Sequence, residues 1–295
     1  MARIPAVARR FFDRLEPVHA VTYFAAEPRA ALDSLGYPGF WMSYFAARSA
    51  PLGIVPPEVV TAAFYNFTAE QVAKALPAAW DIASPATLLQ MRSETAVAAL
   101  RRSGVADSES TRLAAELTAK AARTAPLDGR PLYAANRALP WPEEPIAKLW
   151  HAVTLLREQR GDSHIAVLMA EGIGGRESNV LHAAAGRVPR EMIMRSRDYD
   201  DEQWEHYVER LRSRGWLDAR GELTDTGRDI KQTIEDRTDE LSLAALDALT
   251  DDEITTLFAV LTPITRQVVA AGDIPAATPM GLRRDDLDDD SARLG

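Results

Sequence analysis

Leu211-Arg212-Ser213-Arg214-Gly215-Trp216-Leu217-Asp218-Ala219-Arg220-Gly221-Glu222-Leu223-Thr224-Asp225-Thr226-Gly227 is the stretch that decides the fold. A helical pattern beginning at Asp201 closes on Gly215, a residue suited to ending a helix. Trp216 to Thr224 is short, apolar at Trp216, Leu217 and Leu223, and broken by Gly221, which reads as a minimal hairpin. Thr224 followed by Asp225 is an N-cap and first turn, opening a long helix to about Leu249.

Upstream, the spacing predicts helices over 145–160, ending at Gly161-Asp162, over 163–170 before Gly172, over 177–185 and over 201–214. Helical spacing recurs through the rest of the chain, as in Leu88, Met91, Val97 and Leu100 or Leu149, Val153 and Leu156. Alternating β-branched runs are scarce, so the fold class is mainly α.

The chain also resembles itself. His19-Ala20-Val21-Thr22 returns as His151-Ala152-Val153-Thr154, Gly53 to Glu58 is echoed by Gly186 to Glu191, and Val72 to Trp80 by Val208 to Trp216. Leu35-Gly36 aligns with Glu171-Gly172 between them. Chance matches among Ala-rich helices are the competing reading, but they need not be collinear, and these are. The expected organisation is a first repeat at 1–125, a linker at 126–144 rich in Pro and Gly, a second repeat at 145–280, and a disordered charged tail at 281–295.

With 46% hydrophobic residues, the 295-residue chain can bury a substantial core. It has no cysteine, which excludes disulfides, thiolate nucleophiles and Cys-held metals. The net charge of -9 disfavours a broad phosphate-binding face, so DNA is not the expected partner. No apolar run of about 18 residues suggests a membrane span, and no signal-peptide pattern opens the chain, so a cytoplasmic protein is expected.

Helices, then Leu211-x-Ser213-x-Gly215-Trp216-Leu217, then a turn, then Leu223-Thr224-x-x-Gly227 opening a long helix: this order resembles the MarR-like winged-helix family. In that family the helix before the wing is the recognition helix. Here that helix carries Asp200, Asp201, Glu202, Glu205 and Glu209 against Arg210, Arg212 and Arg214, and the wing has Arg220 as its one cation. The departure falls on the residues that would meet DNA. Over nearly its full length the chain is also similar to the SalK-like actinobacterial helix-turn-helix family. The resemblance rests on Phe40-Trp41, Tyr44, Arg48 to Gly53, Ala63 to Phe67, Leu156 to His164, and Ile234-Glu235 with Thr238-Asp239. The two resemblances imply two tandem winged-helix-like units with short β wings and a long C-terminal helix. A shape of this kind implies no reaction.

Trp41, Tyr44 and Arg48 share a helical face, with Tyr65 a helix later, a set suited to an organic anion or flat ring. A packed aromatic core with Arg48 paired to a buried carboxylate is the alternative. Arg157 and His164 lie in a charged cluster with Glu158, Arg160 and Asp162; Arg157 could hold an anion and His164 move a proton. A salt-bridged turn with Asp162 as its cap is the alternative there. His151 and His19 hold equivalent repeat positions and could face a shared cavity, although a histidine in an apolar helix is more often structural. His182 and His206 read as solvated. Gly172-Ile173-Gly174-Gly175 lacks the Lys of a phosphate loop, and no zinc-helix or nucleophile-elbow pattern is present.

The expectation is a protein that binds a small organic ligand and has lost its DNA-binding face. As an enzyme it would act without a cofactor, in actinobacterial specialised metabolism, with His164 and His151 as catalytic candidates. Trp41, Tyr44, Arg48, Tyr65 and Arg157 are the ligand-binding candidates. A MarR-like ligand-responsive regulator that binds DNA is the alternative. No metal is expected, the sequence names no cofactor, and one chain would be its own pseudo-dimer.

Overall fold

The computed structural model describes residues 3–275 and 286–294. The chain runs through α1 (Pro5–Phe24), α2 (Ala26–Ser34), α3 (Phe40–Ser49), α4 (Pro57–Phe64), α5 (Ala69–Ala73), α6 (Pro85–Arg102) and α7 (Glu109–Thr124). It continues through α8 (Pro131–Arg137), α9 (Pro145–Ala170), α10 (Gly175–Ala184), α11 (Arg190–Ser196), α12 (Asp201–Ser213), α13 (Asp225–Leu243) and α14 (Asp251–Ala270).

Local chemistry sets many of the starts. The Ser84, Ser108, Thr224 and Thr250 hydroxyls accept from backbone N–H groups three residues on, capping α6, α7, α13 and α14. Thr224 is the cap expected from the sequence. The helices bury three apolar clusters. One is central and takes Leu15 of α1, Leu117 of α7, Leu149 and Val153 of α9, and Leu257 and Phe258 of α14. Two satellites flank it: Phe45, Phe64, Phe67 and Leu88 on one side, and Val180, Leu211, Trp216 and Ile234 on the other.

Features recur in the same order in the two halves. α3 and α10 follow turns at Gly36 and Gly172, both with positive φ. α4 and α11 follow Pro56 and Pro189 as N-caps and lead to Tyr65 and Asp198, non-glycine residues at φ 61° and 55°.

Several expectations are corrected. The chain does not stop at Gly161: α9 runs through it, because Asp162 is buried and accepts from the Tyr133 backbone N–H (2.9 Å) instead of capping a new helix. The expected linker at 126–144 holds α8, with Leu132 and Tyr133 fully buried. Of the short β wings, the second half keeps a single antiparallel bridge between Leu217 and Leu223. In the first half Trp80 lies in a 3-10 turn, Ala78–Asp81, that leads almost directly to the α6 cap, leaving no room for a hairpin. Of the expected disordered tail at 281–295, residues 281–285 and 295 lie outside the described residues. The described part, 286–294, is seated instead on α1 and α14. Leu287 and Ala292 are buried, Asp286 pairs with Arg10, and its carbonyl accepts from the Arg14 guanidinium (3.0 Å).

Candidate functional site

A cavity of about 580 Å³ opens where the first half meets the second. Its walls come from α1, α3, the 64–67 turn, α9, α10, α11 and α13. Arg157, Gly161, His164, Ile165 and Leu168 present one face of α9 to it, the i, i+4, i+7 spacing of a helix. Trp41, Tyr44 and Arg48 present one face of α3.

The turn after α4 is locked across the halves. The Tyr65 hydroxyl donates to the Ile173 carbonyl, and Asn179 Nδ2 donates to the Asn66 carbonyl (3.0 Å). A Cβ on Gly175 would stand 1.9 Å from the Tyr65 carbonyl oxygen, so only glycine allows this approach. Tyr65 holds its positive φ in this clasp, a sparsely populated conformation that the surroundings must maintain.

Charge is arranged in two paired groups. In the first, the Arg48 Nε and Nη2 fork both Glu158 oxygens (3.4 and 3.2 Å), and Nη1 donates to the Tyr44 hydroxyl (3.0 Å). Arg157 bridges the Glu158 carboxylate (3.0 Å) and Glu16 (3.2 Å). Burial alone would raise the Glu158 pKa, but the two guanidiniums outweigh it and hold the carboxyl far below its usual range. Glu16, buried with one cation, is pushed up. In the second group, Arg9 pairs with Glu235 and Asp239, Arg160 with Asp239, and Lys231 with Glu235 (2.6 Å).

His164 is held by Thr238 of α13. Thr238 Oγ1 donates its proton to the Ile234 carbonyl (2.7 Å), so it can only accept from His164 Nδ1 at 3.1 Å. That fixes the neutral ring with its hydrogen on Nδ1 and leaves the Nε2 lone pair for the cavity. Burial pulls the His164 pKa down to about 3, so the ring is neutral across physiological pH. It is an acceptor of hydrogen bonds and a weak base.

Of the residues singled out from the sequence, Trp41, Tyr44, Arg48, Tyr65, Arg157 and His164 meet at this cavity. Arg48 is paired with a buried carboxylate, as the alternative reading had it, and it also lines the cavity. His151 does not join them; it packs edge-on to Trp141 with centroids 4.7 Å apart, away from the cavity lining. His19, its counterpart in the expected repeat, is buried between α1 and α9, bonded to Thr154 (3.0 Å) and Tyr23 (3.1 Å). His182, expected to be solvated, lines the cavity with Nε2 shielded and unbonded. Arg197, which the sequence reading did not single out, also lines it, stacked over Phe67 at 4.1 Å. Its signal was the pair Arg195 and Arg197 at the end of α11; both line the cavity, and nothing local told that Arg197 is the buried one. Among the described residues no group of three or more His, Asp or Glu side chains is placed to hold a metal ion. None of the described helices is long and apolar enough to cross a membrane.

A family model described as a helix-turn-helix family matches residues 8–275. No curated protein and no solved structure matches the chain.

Proposed function

This chain belongs to that helix-turn-helix family, and from that premise we propose that it is a small-molecule-binding protein built from two tandem winged-helix-like units, of the SalK-like kind, whose DNA face is gone. The observation that carries this reading is the cavity of about 580 Å³ between the halves, walled by Trp41, Tyr44, Tyr65, Arg48, Arg157 and His164. Its size falls in the range of small-molecule sites, and it combines aromatic surface with a few convergent polar groups. The recurring turns, caps and positive-φ residues support the tandem reading, and the 217–223 bridge stands for a vestigial wing.

The surface that would read DNA supports the loss. On α12, Asp201, Glu202, Glu205 and Glu209 are exposed, and a duplex repels that charge. The arginines that could compensate are engaged: Arg210 with Glu177 (2.9 Å), Arg212 with Glu209, and Arg214 with the Glu171 and Gly172 carbonyls. The matching helix of the first half, α5, has only five residues and leans on the second half, with Gln71 donating to the Ser196 carbonyl (3.2 Å) and Lys74 paired with Asp198 (2.9 Å).

Within the site, Arg48 and Arg157 are held rigid by Glu158 and offer fixed guanidinium edges, while His164 Nε2 accepts a hydrogen bond from a bound hydroxyl or amide. Catalysis without a cofactor would fall to His164, not to His151.

Native mass spectrometry of the purified protein, before and after denaturation, tests the reading. The expected result is a retained molecule of roughly a few hundred daltons, the size such a cavity takes, whose binding quenches or shifts the fluorescence of Trp41. An empty protein that retards duplex DNA in a salt-dependent way would overturn it in favour of a MarR-like regulator.

A further inference from the structure

Two deeply buried guanidiniums in this region have no carboxylate beside them among the described residues. Arg197 is 8% exposed and lines the large cavity. Its Nη1 donates to the neighbouring Ser196 carbonyl (3.3 Å), and its Nε has no partner. Arg92 is 4% exposed, packs at 5.6 Å over Trp150, and lines a second cavity of about 300 Å³. That second cavity shares Tyr23, Tyr44 and Arg48 with the first. Among the described residues neither Arg92 nor Arg197 has a carboxylate partner, whereas Arg48 and Arg157 are matched by Glu158 and Glu16. Within this one group, Arg48, Arg92, Arg157 and Arg197 therefore stand against the two buried carboxylates Glu16 and Glu158. Asp33, which also lines the second cavity, is exposed, and Arg9, Arg160 and Lys231 are matched by Glu235 and Asp239. A buried cation with no counter-charge is costly, and a fold keeps such a group where something else supplies the charge.

Resting on the ligand-binding reading above, we infer that the ligand is an organic dianion with a flat apolar body. One acidic group meets Arg197 in the large cavity and the other meets Arg92 in the small one. The body lies along the wall of Tyr23 and Tyr44 between them. Each guanidinium offers a forked donor edge that fits a carboxylate, and together the two acidic groups neutralise the two unmatched charges.

Isothermal titration with rigid aromatic diacids, terephthalate and biphenyldicarboxylate, each beside the monoacid of the same skeleton, tests this. The expected result is a diacid that binds one to one and about tenfold or more tighter than its monoacid, as a second charge-assisted contact implies. Arg92→Met and Arg197→Met should each reduce that diacid to its monoacid's affinity. Both variants remove an unmatched buried charge, so both should melt no lower than the parent. If either fails to fold, Arg92→Lys and Arg197→Lys, which keep the charge but lose the fork, should still weaken the diacid by about tenfold. Equal affinity for diacid and monoacid on both skeletons overturns the proposal. So does a monoacid that binds two to one as tightly as the diacid, or an Arg92→Met variant that binds the diacid unchanged. A neutral molecule found retained by mass spectrometry, with no acid bound, would sink the dianion and leave the ligand-binding reading standing. No organic molecule bound at all would sink both.

Discussion

At the scale of single residues, Asp162 of α9 is buried against the start of α8, while Trp41, Tyr44 and Arg48 line the large cavity from α3. Trp41, Tyr44 and Arg48 could be grouped because helical spacing alone puts them on one face. Arg92 and Asp162 could not be understood this way, because their environment comes from distant parts of the chain. Asp162 reads as a helix cap, yet it is buried, with Oδ2 accepting from Tyr133 N and Oδ1 without a partner. Burial pushes its carboxyl up to about 7. The unfolded carboxyl titrates near about 4, so between these values the folded chain holds a proton that the unfolded chain has released. Its contribution to stability is complete below about pH 4 and is lost as pH rises through about 7, a swing on the order of 4 kcal/mol at most. Asp162→Asn keeps an acceptor for Tyr133 but cannot ionise. Thermal melts of the two proteins should therefore diverge with rising pH, the variant gaining on the parent between about pH 5 and pH 8. His164 and His182, whose depressed pKa values act in the opposite direction on the acid side, are common to both proteins and cancel in the difference. A constant gap across the range would show that Asp162 is ionised throughout.

At the scale of elements, the stretch around Trp216 was legible because its signals are local. Gly227, the last residue of that stretch, has its Cα so close to Trp216 that a Cβ would sit 2.1 Å from the Trp216 carbonyl oxygen, which gives the Leu-Thr-x-x-Gly pattern a steric cause. The continuation of α9 through Gly161 was not legible. A glycine followed by Asp and Ser reads as a stop, and only the packing of Tyr133 on Asp162 overrides it. Gly175 was noticed in the sequence for a phosphate loop that it does not form; its role is the approach to the Tyr65 carbonyl. Gly175→Ala should cost about 1–3 kcal/mol in denaturant unfolding, the range for forcing atoms into a packed contact. Gly174→Ala, at an ordinary negative φ and with its Cβ 3.4 Å from the Glu177 carboxylate, a normal van der Waals contact, serves as the control and should change stability by about 0.5 kcal/mol or less. Because the clasp sets one wall of the cavity, the Gly175 variant should also lose ligand retention. Equal unfolding of the two variants would mean the turn yields freely and the clasp does not shape the site.

At the scale of the molecule, turns and caps recur in the same order in the two halves, and one apolar cluster joins them. A boundary at 126–144 could leave two independent bodies instead of the single pseudo-dimer expected. The central cluster argues otherwise, since α1 and α7 of the first half bury their apolar faces against α9 and α14 of the second. The cavity follows the same logic, with α3 and the Tyr65 turn on one side and α9 to α13 on the other. Both halves thus contribute to one core, as the subunits of an obligate dimer do. A half cut away would expose the apolar side of α1 or α9 to water, and neither satellite cluster is large enough to replace that burial. The intact chain should therefore melt in one cooperative transition. Fragments 1–140 and 141–295, expressed apart, should show helix by circular dichroism but no cooperative melt, and mixing them should restore both the transition and the cavity. Two fragments that each melted sharply on their own would establish independent units, and the cavity would then be an interface between finished domains instead of a product of folding.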